Sequence, residues 1–324
     1  MIRHETPNQP RRWGVIMAGG EGVRLRSLTR LIAGDDRPKQ FCSLAGGKSL
    51  LAQTKQRIAP YISQERTLYL LLESHEPFYS AELADVATRQ MVVQPRNRGT
   101  LAAILCSLTR ILRLDPQAVV ALFPSDHHYL DERNFMAGVE LAFAGAEADP
   151  GSVILLGAPA KHAETGYGWI EAEPALSTRT AEGLLRVKRF WEKPSSQVAQ
   201  NLLEQGCVWN TFVMIGRAQA LWEMIRSCAA GQVRAFEPLL ALDESQEDAD
   251  ALRRIYDQIP MADFSSRILS MAASQLRVLC MGDVGWSDMG DPQRVIDVLS
   301  ETGVTQEWVA HWRAGAAAAA SASV

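Results

Sequence analysis

Residues Trp13 to Phe41, WGVIMAGGEGVRLRSLTRLIAGDDRPKQF, decide how the rest of the chain is read. The stretch opens with an apolar run, Trp13-Gly14-Val15-Ile16-Met17-Ala18, which reads as a buried parallel strand. Gly19, Gly20 and Gly22 follow. Glycine permits positive φ and lets a ligand approach the main chain. Successive N–H groups in such a turn form a concave nest for phosphate oxygens. Arg24 comes two residues later, and Lys39 closes the stretch after Pro38. Strand, glycine turn, Arg and a later Lys are the parts needed to hold a polyphosphate. The plainer alternative is a tight turn with no ligand. Two commoner phosphate motifs are excluded. G-x-G-x-x-G fails because Gly20-Glu21-Gly22 is followed by Val23-Arg24-Leu25, and the P-loop fails because Cys42 stands where Gly47-Lys48-Ser49 needs a preceding Gly.

The chain has 324 residues, 47% hydrophobic and 22% charged, which is ordinary for a globular protein. A net charge of -4 gives no basic footprint for nucleic acid. Five Cys, at positions 42, 106, 207, 228 and 280, show no metal-type spacing and suit reduced thiols in a cytoplasmic protein. No apolar run approaches ~20 residues, so no membrane span is expected. The polar segment 1–12 reads as a flexible arm rather than a signal peptide, and the Ala/Ser segment 314–324 as a disordered tail.

Between these ends the chain alternates strands and helices. Strands are expected at Thr67–Leu72, Met91–Val93, Ala118–Phe123 and Val153–Leu156, with a helix capped by Ser49, a helix reaching about Ala87, and helices over 101–112 and 131–147. That rhythm predicts an α/β fold, a Rossmann-like open, mainly parallel sheet flanked by helices. After residue 158 the pattern changes. Glycine-punctuated Glu164-Thr165-Gly166-Tyr167-Gly168 enters a strand, Leu184–Trp191 forms another before Glu192-Lys193-Pro194, and Val208-Trp209-Asn210-Thr211 opens a third. Residues 216–273 read as helical, with an acidic run at 243–250 taken as a solvated loop or helix end. Val278–Met281 is a strand, and a last helix spans about Gln306–Trp312. The expected division is a nucleotide-binding half (13–158), an acceptor half with its own β subregion (159–290) and C-terminal helices (291–313).

Several segments leave two readings open on spacing alone. Gln94-Pro95-Arg96-Asn97-Arg98-Gly99-Thr100 is either a ligand loop at a strand end or a connection capped by Asn97 or Thr100. Asp126, after the strand at 118–123, is well placed to hold Mg²⁺ against phosphates. The neighbouring His127-His128 invites zinc, but adjacent side chains diverge and no partner ligands are suitably spaced. Asp288 is either a ligand or the N-cap of a helix starting near Pro292. Glu192-Lys193-Pro194 also reads as a surface turn, and Trp209 as core.

Together these segments carry a resemblance. AGG-x-G-x-R-L followed by PKQF, then QPRNRGT, P-S-D, ETGYG, EKP, WN and W-S-D-x-G, resembles the sugar-1-phosphate nucleotidylyltransferases, most closely the mannose-1-phosphate guanylyltransferase branch. The resemblance covers almost the whole chain and implies the nucleotidyltransferase fold. It also implies Mg²⁺-dependent transfer from GTP to mannose 1-phosphate, with no protein nucleophile. By that resemblance, Ala18, Gly19, Gly20, Gly22, Gln94, Asn97, Gly99 and Thr100 bind the nucleotide, and Arg24 and Lys39 hold its β- and γ-phosphates. Gly166, Glu192 and Asn210 bind the sugar, Lys193 its phosphate, and Asp126 and Asp288 the metal. A homodimer is implied as well. The sequence departs from the family at Val23, where Thr or Ser is usual, at Arg26-Ser27, and at Thr211-Phe212, where Ser/Thr-Gly is usual. Competing readings are a transferase for another base or sugar, and a non-catalytic nucleotide-sugar sensor. A glycosyltransferase of similar architecture is disfavoured, because no D-x-D follows an apolar strand.

Overall fold

The structure, a computed structural model, describes residues 11–174, 183–242 and 249–321. Most of the expected arm (1–10), the core of the acidic run (243–248) and residues 322–324 lie outside them. Eleven strands are seen among the described residues. They are β1 (Arg12–Met17), β2 (Thr67–Leu72), β3 (Met91–Gln94), β4 (Val119–Pro124), β5 (His128–Tyr129), β6 (Val153–Pro159), β7 (Gly168–Ala172), β8 (Leu185–Glu192), β9 (Val208–Arg217), β10 (Leu276–Cys280) and β11 (Trp286–Ser287). Nine form one sheet in the order β3-β2-β1-β4-β9-β6-β10-β8-β7, and β11 pairs β5 apart from it.

The α/β class holds, with the parallel character concentrated in one half. β3, β2, β1 and β4 run parallel, and so do β6 and β10. The pairs β4–β9, β6–β9, β8–β10, β7–β8 and β7–β9 are antiparallel. Because β7 also pairs β9, the ladders β9-β6-β10-β8-β7 close on themselves. The parallel strands are buried on both faces, which is why they read as unbroken apolar runs. Trp13, Val15, Leu68, Leu70, Val120 and Leu122 pack on one side, and Ile16, Tyr69, Leu71, Ala121 and Phe123 on the other.

Helices cover both sides. They are α1 (Arg26–Ala33), α2 (Leu50–Ile58), α3 (Glu76–Tyr79), α4 (Gly99–Leu114), α5 (Glu132–Ala148), α6 (Ser196–Glu204), α7 (Ala218–Phe236), α8 (Ala249–Gln258), α9 (Pro292–Thr302) and α10 (Glu307–Ser321). Ser49 caps α2 as expected, accepting a bond from Ala52 N. Three expectations are corrected. Arg12 belongs to β1, where its partner is Val119, rather than to a loose arm. The helix expected to reach Ala87 is the single turn α3, although Tyr79, Leu83 and Val86 still bury against the core. Residues 314–321 continue α10, consistent with alanine having the highest helix propensity. No helix among the described residues is long and apolar enough to cross a membrane.

Chain order places the crevice. β1 leads to β2 and β3 on one side, and the chain then returns to place β4 on its other side. Ligands of open α/β sheets sit beyond the carboxyl ends of strands at such a reversal. The glycine turn after β1 and Ser125-Asp126 after β4 both lie there. α9 and α10 pack Val295, Ile296, Leu299 and Trp308 against Leu25 and Leu28, so the C-terminal helices brace the segment that carries Arg24.

Candidate active site

The glycine turn is held from beneath by Gln40, whose amide donates to Ala18 O at 2.9 Å and Gly20 O at 2.7 Å. Gly22 takes φ 61°, and a Cβ there would stand 3.0 Å from Lys39 N. Gly19 lies equally close to Gln94, with 2.8 Å between a built Cβ and Nε2. Gly20 has nothing within 4 Å and opens to the cleft. The turn therefore presents backbone, as a phosphate or ribose would require.

Two adjoining hollows share Asp126. One, of about 380 Å³, is lined by Gly19, Gly20, Gln94, Asn97, Gly99, Thr100, Phe212 and Asp263 among others. The other, of about 310 Å³, is lined by Gly22, Val23, Arg24, Lys39 and Gly290 among others. A larger apolar hollow of about 480 Å³ lies beside β3 and shares no residue with either. We place the chemistry in the smaller two, because the candidate phosphate and metal groups converge there.

Lys39 stands at the junction. Its ammonium is 3.1 Å from Asp126 Oδ2 and donates to the backbone oxygens of Asp288 at 2.5 Å and Met289 at 3.3 Å. Asp288 Oδ1 accepts from Tyr167 Oη (3.0 Å), Arg294 Nη1 (2.9 Å) and Gly290 N (2.8 Å). Burial pushes the Asp288 carboxyl up, but the charges of Lys39 and Arg294 outweigh it and hold the group below its ordinary value. Tyr167 is shifted the other way, by burial and by Asp288, so the phenol keeps its proton and donates. The N-cap reading of Asp288 is excluded, because Asp291 caps α9.

Asp126 and Asp288 are the two acidic groups at this junction, and the described residues contain no cluster of three or more His, Cys, Asp or Glu suited to a metal. Two carboxylates fit a Mg²⁺ that completes its shell with water and substrate phosphates. Gly290 favours the fit, because a Cβ there would come within 2.4 Å of Asp288 Oδ2 and block that oxygen. His127 is not a zinc ligand in this arrangement. Burial lowers its pKa, and its Nδ1 accepts from Trp286 Nε1 at 3.2 Å.

On the base side, Gln94 is fixed at both ends, donating to Leu71 O and accepting from Tyr256 Oη. Asn97 accepts from Gly99 N and donates to Glu21. Thr100 donates to Asp263 Oδ2 and accepts from Phe264 N. Gly99 takes φ 83°, and a Cβ would meet Ala262 O at 2.3 Å, so only glycine fits there. The loop is thus both connection and cleft wall.

On the acceptor side, Asn210 and Glu192 face the same glycine, with a Cβ at Gly168 placed 3.4 Å from Asn210 Cβ and 3.1 Å from Glu192 Oε2. Burial, then the like charge of Asp263, raises the Glu192 carboxyl above its ordinary value. Trp209 is core, stacked edge-on against Trp169 and Tyr167. Two residues depart from their expected places. Lys193 points outward, its side chain 63% exposed with Glu192 3.5 Å away as its ion-pair partner. Gly166 is occupied rather than open, its N–H donating to Glu164 Oε1 at 2.6 Å. Arg24 is exposed on a one-turn 3₁₀ helix, and Val23 beside it is 59% exposed.

Backbone strain marks the same site independently. The non-glycine residues at positive φ are Lys193 (45°), Phe212 (60°) and Met289 (46°) among the described residues. Each costs on the order of 1–2 kcal/mol, and each lies within two residues of a candidate: Glu192, Asn210 and Asp288. Phe212 sits in a bulge where β9 advances four positions, from Asn210 to Met214, while β6 advances two, between Gly157 and Leu155. A glycine, which the resemblance leads one to expect here, would suit that conformation, and the phenylalanine keeps it while packing on Phe264, with 6.2 Å between ring centres. Gln40, Tyr167, Glu164, Arg294 and Asp263 are site residues that the sequence alone does not single out. Gln40 carries a signal in its place within PKQF, and Glu164 and Tyr167 in theirs within ETGYG.

Comparison with known proteins bears on the family and the fold. The family described as Nucleotidyl transferase matches residues 13–303. Alginate biosynthesis protein AlgA of Pseudomonas aeruginosa is 29% identical over 290 residues, 88% of this chain and 58% of that protein. Mannose-1-phosphate guanylyltransferase 2 of Escherichia coli O157:H7 is 28% identical over 300 residues, 89% of this chain and 60% of that protein. The chain thus spans less than two thirds of the length of these curated relatives. A crystal structure described as mannose-1-phosphate geranyltransferase from Thermus thermophilus superposes with TM-score 0.74 at 28% identity, covering 86% of this chain and 76% of that one.

Proposed function

The chain belongs to the nucleotidyl transferase family, and from that premise we propose that it joins GTP and mannose 1-phosphate into GDP-mannose with release of pyrophosphate. The observation that carries the proposal is the junction at Lys39, where the turn after β1, the end of β4 and the 285–290 loop meet. In this reading a phosphate oxygen of the hexose 1-phosphate attacks the α-phosphorus. The new P–O bond forms as the α–β bridging P–O bond breaks, and the electron pair leaves with pyrophosphate. The attacking oxygen is already anionic, so catalysis reduces to positioning and charge neutralisation.

The chain's own groups divide that work. The turn at Gly19–Gly22 receives the triphosphate backbone-first, with Arg24 over its outer phosphates. Lys39 exchanges its present carbonyl partners for phosphate oxygens. Glu192 and Asn210 accept and donate to hexose hydroxyls. Asp126 and Asp288 are the residues that would hold Mg²⁺, which would supply charge neutralisation at the phosphates. Lys193 would turn from Glu192, its present partner, to reach the acceptor phosphate. Guanine and mannose are supported by the PKQF and QPRNRGT segments and by the guanylyltransferase named among the relatives. Five free cysteines fit a cytoplasmic enzyme, and a homodimer belongs to the same reading.

The test is pyrophosphate release with Mg²⁺ from GTP, ATP, UTP, CTP or dTTP, each against mannose 1-phosphate and glucose 1-phosphate. Turnover with GTP and mannose 1-phosphate at least about tenfold above other pairs is expected. Turnover confined to another pair would reassign base or sugar. Tight GDP-mannose binding without turnover would make the chain a sensor.

A further inference from the structure

Arg294, in the first turn of α9, is the most connected charge outside the groups assigned above. Its guanidinium reaches Glu164 Oε2 at 2.7 Å, Asp288 Oδ1 at 2.9 Å and Asp291 Oδ2 at 3.1 Å, and lies 4.4 Å from the centre of the Tyr167 ring. Tyr167 in turn donates to the Asp288 oxygen that Arg294 holds. Glu164 is equally committed. One of its oxygens takes Arg294, and the other takes Gly166 N. Even the missing side chain of Gly166 matters, since a Cβ there would stand 3.2 Å from Arg294 Nη2. The 164–168 segment, the 285–290 loop and α9 are therefore tied by one planar cation. Lysine, a point charge, would not match this fork.

We propose that Arg294 is a positioning residue that couples the acceptor side of the cleft to Asp288. It touches no reacting group. By fixing Glu164 it sets the loop that leads into β7, where Gly168 faces Glu192 and Asn210. By fixing Asp288 Oδ1 it leaves Oδ2 beside Gly290, which lines the cleft. A single side chain thus keeps hexose site and metal carboxylate in one geometry, while the nucleotide turn around Gln40 stands apart from it. The inference rests on the function proposed above for its kinetic arm only.

The test uses the full chain and three variants: Arg294→Met, Arg294→Lys and Ser49→Ala. Arg294→Met is expected to raise the hexose 1-phosphate KM and lower kcat by about tenfold each, while the nucleotide KM stays within about twofold. Arg294→Lys should recover part of that loss. Ser49→Ala removes the cap of α2, outside the Arg294 network, so it should lower Tm without moving either KM. Amide hydrogen exchange at residues 166–168 should quicken about tenfold in Arg294→Met. Unchanged kinetics with a lower Tm would reduce Arg294 to a stabilising contact and overturn the proposal. So would equal rises in both KM values, or unaltered exchange. If the unmodified chain turns over no substrate pair, the functional reading falls and the exchange result alone decides the coupling. If Arg294→Met fails to fold, Arg294→Lys decides it by the same split.

Discussion

Around β1 and β4 the groups that face the cleft are mostly backbone, held by neutral amides; around β7, β8 and the 285–290 loop they are mostly charged side chains held by one another. Gln40 supports the glycine turn through two carbonyls, and Gln94 is pinned by Leu71 and Tyr256. Opposite them, Asp288, Tyr167, Glu164 and Arg294 form a partly buried ionic network. A backbone cradle tolerates little change of shape but is indifferent to charge. An ionic network tolerates small shifts but fails when one partner is lost, because the other remains desolvated and unpaired. The two halves should therefore fail differently, and Lys39 with Asp126 is where both failures meet.

The junction predicts the largest effect. Asp126→Ala should lower turnover by about 10²–10³-fold, and should lower Tm as well, since it leaves the buried Lys39 ammonium without its carboxylate partner. A fall below about tenfold, read from initial rates at saturating substrate, would remove Asp126 from the chemistry. The backbone half predicts an intermediate effect. Gln40→Leu leaves the Ala18 and Gly20 carbonyls without their donor, at about 1–3 kcal/mol each. The nucleotide KM should rise about tenfold or more while the acceptor KM holds, the mirror image of Arg294→Met. Equal changes in both constants would erase the distinction between the halves.

The smallest effect sharpens the charged half. Glu192 has its folded-state pKa raised by burial and by Asp263. Folding therefore favours the protonated acid. Its cost to stability is absent below the ordinary carboxylate pKa, grows as pH rises toward the folded value, and is complete above it. Glu192→Gln should raise Tm at pH 7 by on the order of 1 °C and have no effect near pH 3.5. A lower Tm at pH 7 would show that Glu192 is held by partners rather than strained by neighbours.

What is legible in the sequence divides along the same line. The parallel half announces itself, because strands buried on both faces appear as unbroken apolar runs such as TLYLLL, and the turn after β1 carries its glycines in sequence. The closed, mostly antiparallel circuit does not, because period and composition do not name a strand's partner. Lys39, Asp126 and Asp288 are drawn together by resemblance, and the structure brings them within one cluster of bonds. Arg294 carries no signal in the sequence and Glu164 only its place in ETGYG, because the contact that gives them meaning spans 130 residues of chain. Phe212 reads in the sequence as a departure that could alter the sugar site. Its φ of 60° shows that the backbone keeps a glycine-like conformation and accepts strain to place a ring at the cleft. Lys193 is assigned to a phosphate by its motif, yet its side chain faces outward in this structure.

The most direct measurement is product identity. The purified 324-residue chain, with Mg²⁺, GTP and mannose 1-phosphate, would be sampled by anion-exchange chromatography for GDP-mannose, with Asp126→Ala alongside. GDP-mannose and pyrophosphate appearing in equal amounts, and lost in the variant, is the expected result. GTP hydrolysed to GDP or GMP with no GDP-mannose, or equal product from the variant, would contradict nucleotidyl transfer at the Lys39 junction.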